Sequence, residues 1–104
     1  MKTPVLSALA VAIVFGAAPA CAQQAHTIAI ENLRFEPQTL TVRRGDRVVW
    51  ANKDLVPHTA TAAKSFDSHA IAANASWTYT ARTPGRYEYM CTFHPAMKAT
   101  LVIE

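Results

Sequence analysis

At 104 residues, with 51% hydrophobic and 16% charged side chains, the chain has room for one domain with a modest core. Its net charge of +3 is small, and its bases are scattered apart from Arg43-Arg44 and nearby Arg47. That pattern is a solvated strand face and excludes a dedicated nucleic-acid-binding surface.

In chain order, the first 22 residues read as a cleavable secretory leader. Lys2 supplies the positive start, Val5 to Ala18 forms an almost unbroken apolar run, and Ala20-Cys21-Ala22 has the small-x-small pattern that a leader peptidase reads. The run falls short of the ~20 residues needed to cross a bilayer, and Pro19 closes it. Lipid attachment at Cys21 is the alternative. Bacterial lipoproteins usually carry Leu three residues ahead of the modified cysteine, and here that residue is Ala18, so cleavage after Ala22 is expected. It leaves one domain over residues 23–104, with Cys91 as its lone thiol. A free thiol in an oxidising compartment needs a reason, and metal ligation supplies one.

Within that domain Thr27 to Ile30 has the β-branched alternation of a half-buried strand, which Phe35-Glu36-Pro37 should break. Leu40 to Arg43 alternates with Leu40 and Val42 inward, Arg44-Gly45-Asp46 is a turn, and Arg47 to Asn52 resumes as a strand. Residues 59–76 are weak, with only Phe66 and Ile71 as large apolar anchors, and have room for one irregular strand and a loop. Ser76 to Thr80 alternates aromatic and hydroxyl residues as strands do. Thr83-Pro84-Gly85 is a turn, Arg86 to Met90 leads straight into Cys91, and Ala99 to Ile103 is a buried final strand. The expectation is an all-β Greek-key sandwich of six to eight mostly antiparallel strands. Trp50, Trp77, Tyr79, Tyr87 and Tyr89 are read as core and pairing residues rather than an electron relay, and His26 and His69 as exposed.

The chemistry concentrates in Cys91-Thr-Phe-His94-Pro-Ala-Met97, with His58 in Val56-Pro57-His58-Thr59 lying 33 residues before Cys91. Two imidazoles, a thiolate and a thioether are the ligand set of a trigonal His₂Cys copper site with a long axial Met. Thiolate and thioether suit Cu(I) and imidazole also suits Cu(II), so His58, Cys91, His94 and Met97 can hold both oxidation states. Pro57 and Pro95 limit how the two histidines are presented.

The residues Phe35-Glu-Pro-x-x-Leu40-x-Val42-x-x-Gly45-Asp46-x-Val48-x-Trp50-x-Asn52, Pro57-His58, and Gly85-x-Tyr87-x-Tyr89-x-Cys91-x-x-His94-x-x-Met97 resemble the cupredoxins of the plastocyanin and amicyanin group. The two-residue spacers are nearest to amicyanin. The resemblance implies a type 1 blue copper protein, with one copper at the end of a Greek-key sandwich and His94 as the partly exposed ligand. It also implies a periplasmic, non-enzymatic, monomeric electron carrier between redox proteins, such as an amine dehydrogenase and a c-type cytochrome, with no nucleic-acid partner and no stable membrane insertion. Two positions depart from the pattern. Thr59 stands where the group often has an Asn that braces the ligand loop, and Phe93 stands where short-loop members commonly have Pro. Phe93 restores an amide that could point at the Cys91 sulfur, and the Thr59 amide is the other candidate donor.

Three other readings use the same residues. A copper store or delivery protein would need an exchangeable site. A Cys–His hydrolase would need an oriented third group and an oxyanion hole, and neither is legible. Structural zinc does not ordinarily recruit a thioether.

Overall fold

The computed structural model describes residues 23–104, and the expected leader over residues 1–22 lies outside them. The described residues form nine strands: β1 (Ala25–Glu31), β2 (Arg34–Glu36), β3 (Thr39–Val42), β4 (Arg47–Asn52), β5 (Thr61–Ala62), β6 (Phe66–Asp67), β7 (Ser76–Thr80), β8 (Gly85–Cys91) and β9 (His94–Ile103). They build two sheets, ordered β2-β1-β4-β7 and β3-β9-β8-β5-β6, the all-β sandwich the alternation predicts.

The count is one above the expected range, for two local reasons. Asn32 and Leu33 both take positive φ, 54° and 60°, the backbone of a tight two-residue hairpin turn. That turn folds Arg34–Glu36 back onto β1, so Phe35 and Glu36 pair in a strand where a break was expected, and the pairing stops before Pro37. Residues 59–76 hold two strands of two residues each where one was expected, and Phe66 and Ile71 anchor the segment by burial. Two of the strand pairs, β1 with β4 and β3 with β9, are parallel, and the others are antiparallel.

The core follows from period two. Ile28 and Ile30 of β1, Val48 and Trp50 of β4, and Leu101 and Ile103 of β9 turn inward and are essentially fully buried. Phe35 and Tyr89 meet edge-on with ring centroids 4.8 Å apart, and Trp50 packs on both Tyr89 (5.5 Å) and Trp77 (5.4 Å). The aromatic residues are therefore packing groups, and burial pushes the Tyr89 phenol pKa well up.

At the end of the sandwich where β4 and β8 begin, Asp46 is a buried carboxylate that ties the chain together. It accepts from the Gln24 amide (3.1 Å) and the Arg43 amide (3.0 Å) and pairs with His26 Nε2 at 2.9 Å. His26 is therefore not the free, exposed residue the sequence suggested: its side chain is 22% exposed and engaged, whereas His69 is 86% exposed as expected. The His26 hydrogen bond, then those from Gln24 and Arg43, outweigh the desolvation of Asp46 and lower its pKa to about 2. Because the folded value lies below the unfolded one, the carboxylate stabilises the fold above pH ~4, and that contribution is lost as pH falls toward 2. In an acid titration followed by circular dichroism, stability should drop across this window. In Asp46→Asn the drop should flatten, with lower stability at neutral pH.

Candidate metal centre

At the opposite end, the loop after β4 is built around Asn52, whose buried amide donates to the carbonyls of Val56 (2.9 Å) and Ile71 (3.0 Å). Its Oδ1 accepts from the Asp54 amide at 2.9 Å. His58 then exchanges two backbone hydrogen bonds with Ile71, at 3.1 and 2.7 Å, so its backbone is fixed on both sides. The His58 ring is fully buried, and its Nε2 lies 2.8 Å from Asp54 Oδ2. A donor Nε2–H leaves Nδ1 unprotonated, with its lone pair directed into the site.

Asp54 serves a second purpose. Its two oxygens also accept from the amides of Asn32 (2.7 Å) and Leu33 (3.0 Å), the residues held at positive φ in the β1–β2 turn. Leucine rarely adopts that backbone, so the carboxylate offsets a conformational cost there. Burial works against the charge on Asp54, but the Leu33 amide, the His58 ring and the Asn32 amide together hold its carboxyl below the ordinary range. The sequence reading missed Asp54. Its only signal is a carboxylate four residues before a histidine, which gains meaning once the loop around Asn52 is known.

Cys91 ends β8 at a register irregularity and is fully buried. Across the two-residue turn Thr92-Phe93 it pairs directly with His94, the first residue of β9. One donor atom from each of His58, Cys91 and His94 lies within 4.8 Å of the others. The Cys91 sulfur is 3.6 Å from His58 Nδ1 and 3.8 Å from His94 Nδ1. Metal–thiolate bonds of ~2.3 Å and metal–imidazole bonds of ~2.0 Å separate sulfur and nitrogen by about 3.5 Å at a tetrahedral angle and about 3.7 Å at a trigonal one, within about 0.1 Å of the two distances here. The donors thus stand where a shared metal ion requires them. Met97 is buried three residues further along β9.

The sulfur accepts a hydrogen bond from the Thr59 amide at 3.3 Å. Among the described residues this is its backbone donor, so the alternative that the Phe93 amide fills this role is not what the fold provides; Phe93 is 52% exposed at the rim. The Thr59 hydroxyl meanwhile accepts from the Thr92 amide at 2.9 Å and from the Thr61 hydroxyl at 3.0 Å. A threonine thus braces the ligand turn from the position where an asparagine was the expected brace. His94 is half-buried, and Leu33 (50% exposed), Leu55 (91%) and Val56 (44%) line a shallow hollow beside it.

Comparison with known proteins agrees with this geometry. The cupredoxin-like domain family matches residues 4–103. Amicyanin-alpha of Methylorubrum extorquens is 28% identical over 83 residues, covering 74% of this chain and 70% of that protein. Amicyanin of Paracoccus denitrificans is 29% identical over 94 residues, covering 85% and 72%. Among solved structures, a Cu(I) amicyanin variant with a methionine replaced by alanine superposes with a TM-score of 0.73 at 26% identity, covering 77% of this chain and 82% of that one.

Proposed function

The chain belongs to the cupredoxin-like family and is a blue copper protein, and we propose that it is a periplasmic carrier that passes single electrons between redox proteins. The observation that carries this reading is the pair of ring nitrogens held 3.6 and 3.8 Å from one buried sulfur. Bound copper supplies the chemistry, a one-electron cycle between Cu(I) and Cu(II). With copper bound, His58, Cys91 and His94 would hold it as the strong ligands, and Met97 would be a weaker fourth donor.

Each protein group then has a defined task. Asp54 orients His58, and the Thr59 amide draws electron density from the sulfur. The two backbone bonds to Ile71 and the β8–β9 pairing keep the ligands in place when the charge of the site changes. No side chain needs to transfer a proton. His94 is the half-buried ligand, and it emerges within an apolar rim of Pro57, Phe93, Pro95 and Ala96, extended by Leu33, Leu55 and Val56. That rim is the docking face for a donor such as an amine dehydrogenase and an acceptor such as a c-type cytochrome, and apolar contact lets one face serve two partners in turn.

The test is to load the processed protein with copper and record spectra while cycling it with mild reductant and oxidant. An intense blue band that bleaches and returns repeatedly, with copper retained against a chelator, supports the carrier. Ready loss of copper to the chelator identifies a delivery protein instead.

Met97→Gln should keep the blue band while lowering the midpoint potential, because a harder oxygen donor favours Cu(II). An unchanged midpoint in protein-film voltammetry would mean that Met97 does not reach the copper.

A further inference from the structure

The arginines, scattered in the sequence, are gathered by the fold. Five of them, Arg43, Arg44, Arg47, Arg82 and Arg86, sit at the end of the sandwich opposite the copper ligands, and all five are exposed. Arg43, Arg44 and Arg47 belong to the β3–β4 turn and the start of β4, and Arg82 and Arg86 to the β7–β8 turn and the start of β8. The two turns are bonded together: Gly45 donates to the Ala81 carbonyl at 2.6 Å, and Ala81 to the Asp46 carbonyl at 2.8 Å. The Arg44 amide also donates to the Glu104 carbonyl at 3.1 Å. β8 runs from this end to Cys91, so the arginines lie about 20 Å from the ligand cluster.

Little at that pole neutralises them. Asp46 is buried and engaged with His26 and two amides, so among the described residues the exposed carboxylates nearest the five are Glu104, beside Arg43 and Arg44, and Glu88, two residues along β8 from Arg86. Among the described residues none of the five arginines makes a salt bridge. A second observation concerns the chain's entry. Gln24 is tied to this same pole through Asp46 and Arg47, so the described chain begins beside Arg47 and far from the copper ligands.

The geometry points to a bilayer surface as the occupant of this pole: the five guanidinium groups seat on anionic phospholipid headgroups and turn the copper end away from the membrane. Guanidinium forks match phosphate oxygens, and five on one end can meet a sheet of phosphates together. The chain reaches the domain from that side, so any N-terminal attachment would present the same face to lipid. A redox partner would then find the apolar rim around His94 free. Each arginine near a negatively charged bilayer should raise partition about five-fold, and salt should weaken it, since the Debye length is only ~10 Å at 0.1 M.

The test is co-sedimentation of copper-loaded protein, recovered from cells expressing the full chain, with two kinds of vesicle. One contains phosphatidylglycerol and phosphatidylethanolamine, the other phosphatidylcholine alone. Using one preparation on both makes any N-terminal anchor contribute equally. The protein should sediment at least ten-fold more with the phosphatidylglycerol vesicles, and added salt should release it. Arg82→Gln/Arg86→Gln should lose at least ten-fold of that binding. The charge-matched Lys64→Gln/Lys98→Gln should lose less than two-fold, and Arg82→Lys/Arg86→Lys should keep most of it. Melting temperatures close to that of the parent exclude misfolding as the cause. Reduction of the blue band by ascorbate should proceed at the same rate on and off the vesicles. Equal losses in the arginine and lysine pairs, or no preference for phosphatidylglycerol, would overturn the proposal. So would retention on polyglutamate without vesicle binding, which would assign the pole to an acidic protein. A slowed reduction on vesicles would place the copper end against lipid and overturn the orientation.

Discussion

Cys91→Ser should yield a protein that folds and binds some copper but has no blue colour. The intense band requires a thiolate bonded to Cu(II), and Cys91 is the one cysteine among the described residues. Serine fills nearly the same volume at a fully buried position, and the Thr59 amide that now meets sulfur can meet the hydroxyl oxygen. His58 and His94 keep their places, because they are held by Ile71, Asp54 and the β8–β9 pairing and not by the sulfur. The expected product is therefore a pale, weak Cu(II) site with nitrogen ligands. A variant that kept the intense band would remove Cys91 from the ligand set.

Asp54→Ala should have the next largest effect, and it should act on both metal and fold. Without the carboxylate, the His58 ring loses the partner that holds Nε2 protonated and the ring in one orientation. Losing such a partner typically costs about 10–100-fold in metal affinity, or about 1.4–2.7 kcal/mol. The same change strips the acceptor from the amides of Asn32 and Leu33. The metal-free protein should therefore lose about 1–3 kcal/mol as well, and in a domain of this size each kcal/mol lowers the melting temperature by about 4–8 °C. Asp54→Asn can still accept through its Oδ1 and should fall between parent and alanine on both measures. Calorimetry of the metal-free proteins and competition with a copper chelator separate the two effects. If affinity fell while metal-free stability did not move, the turn-clamping role would be wrong.

Much of this was legible in the sequence because it depends on local pattern. Period-two alternation located β4, β7 and β8, and the Cys91–Met97 spacing identified the ligand turn, since a short hairpin brings near neighbours together without help from the rest of the chain. What escaped notice depends on contacts between distant segments. The Arg34–Glu36 strand exists because Asn32 and Leu33 accept a backbone that Asp54, 22 and 21 residues away, makes tolerable. His26 is held because the parallel β1–β4 pairing brings Asp46, 20 residues later and just ahead of β4, within 2.9 Å of its ring. The choice between the Thr59 and Phe93 amides was open until the crossing of the His58 segment over Cys91 was known. The arginine pole is the extreme case, since residues spread over 44 positions become neighbours only through the bonds between two turns.

The place of β9 in the second sheet constrains the order of events in the life of the chain. β9 is the last strand in sequence, yet it lies between β3 and β8, with Thr39 opposite Thr100, and it begins with His94. A chain still emerging from the ribosome lacks the strand that joins β3 to β8 in its second sheet and has only part of its ligand set. It can form the β1–β2 hairpin, but it cannot close a core, and a topology built on such distant pairings folds late and slowly. Capture of copper by the full ligand set is thereby deferred until β9, which carries His94 and Met97, has been made and paired.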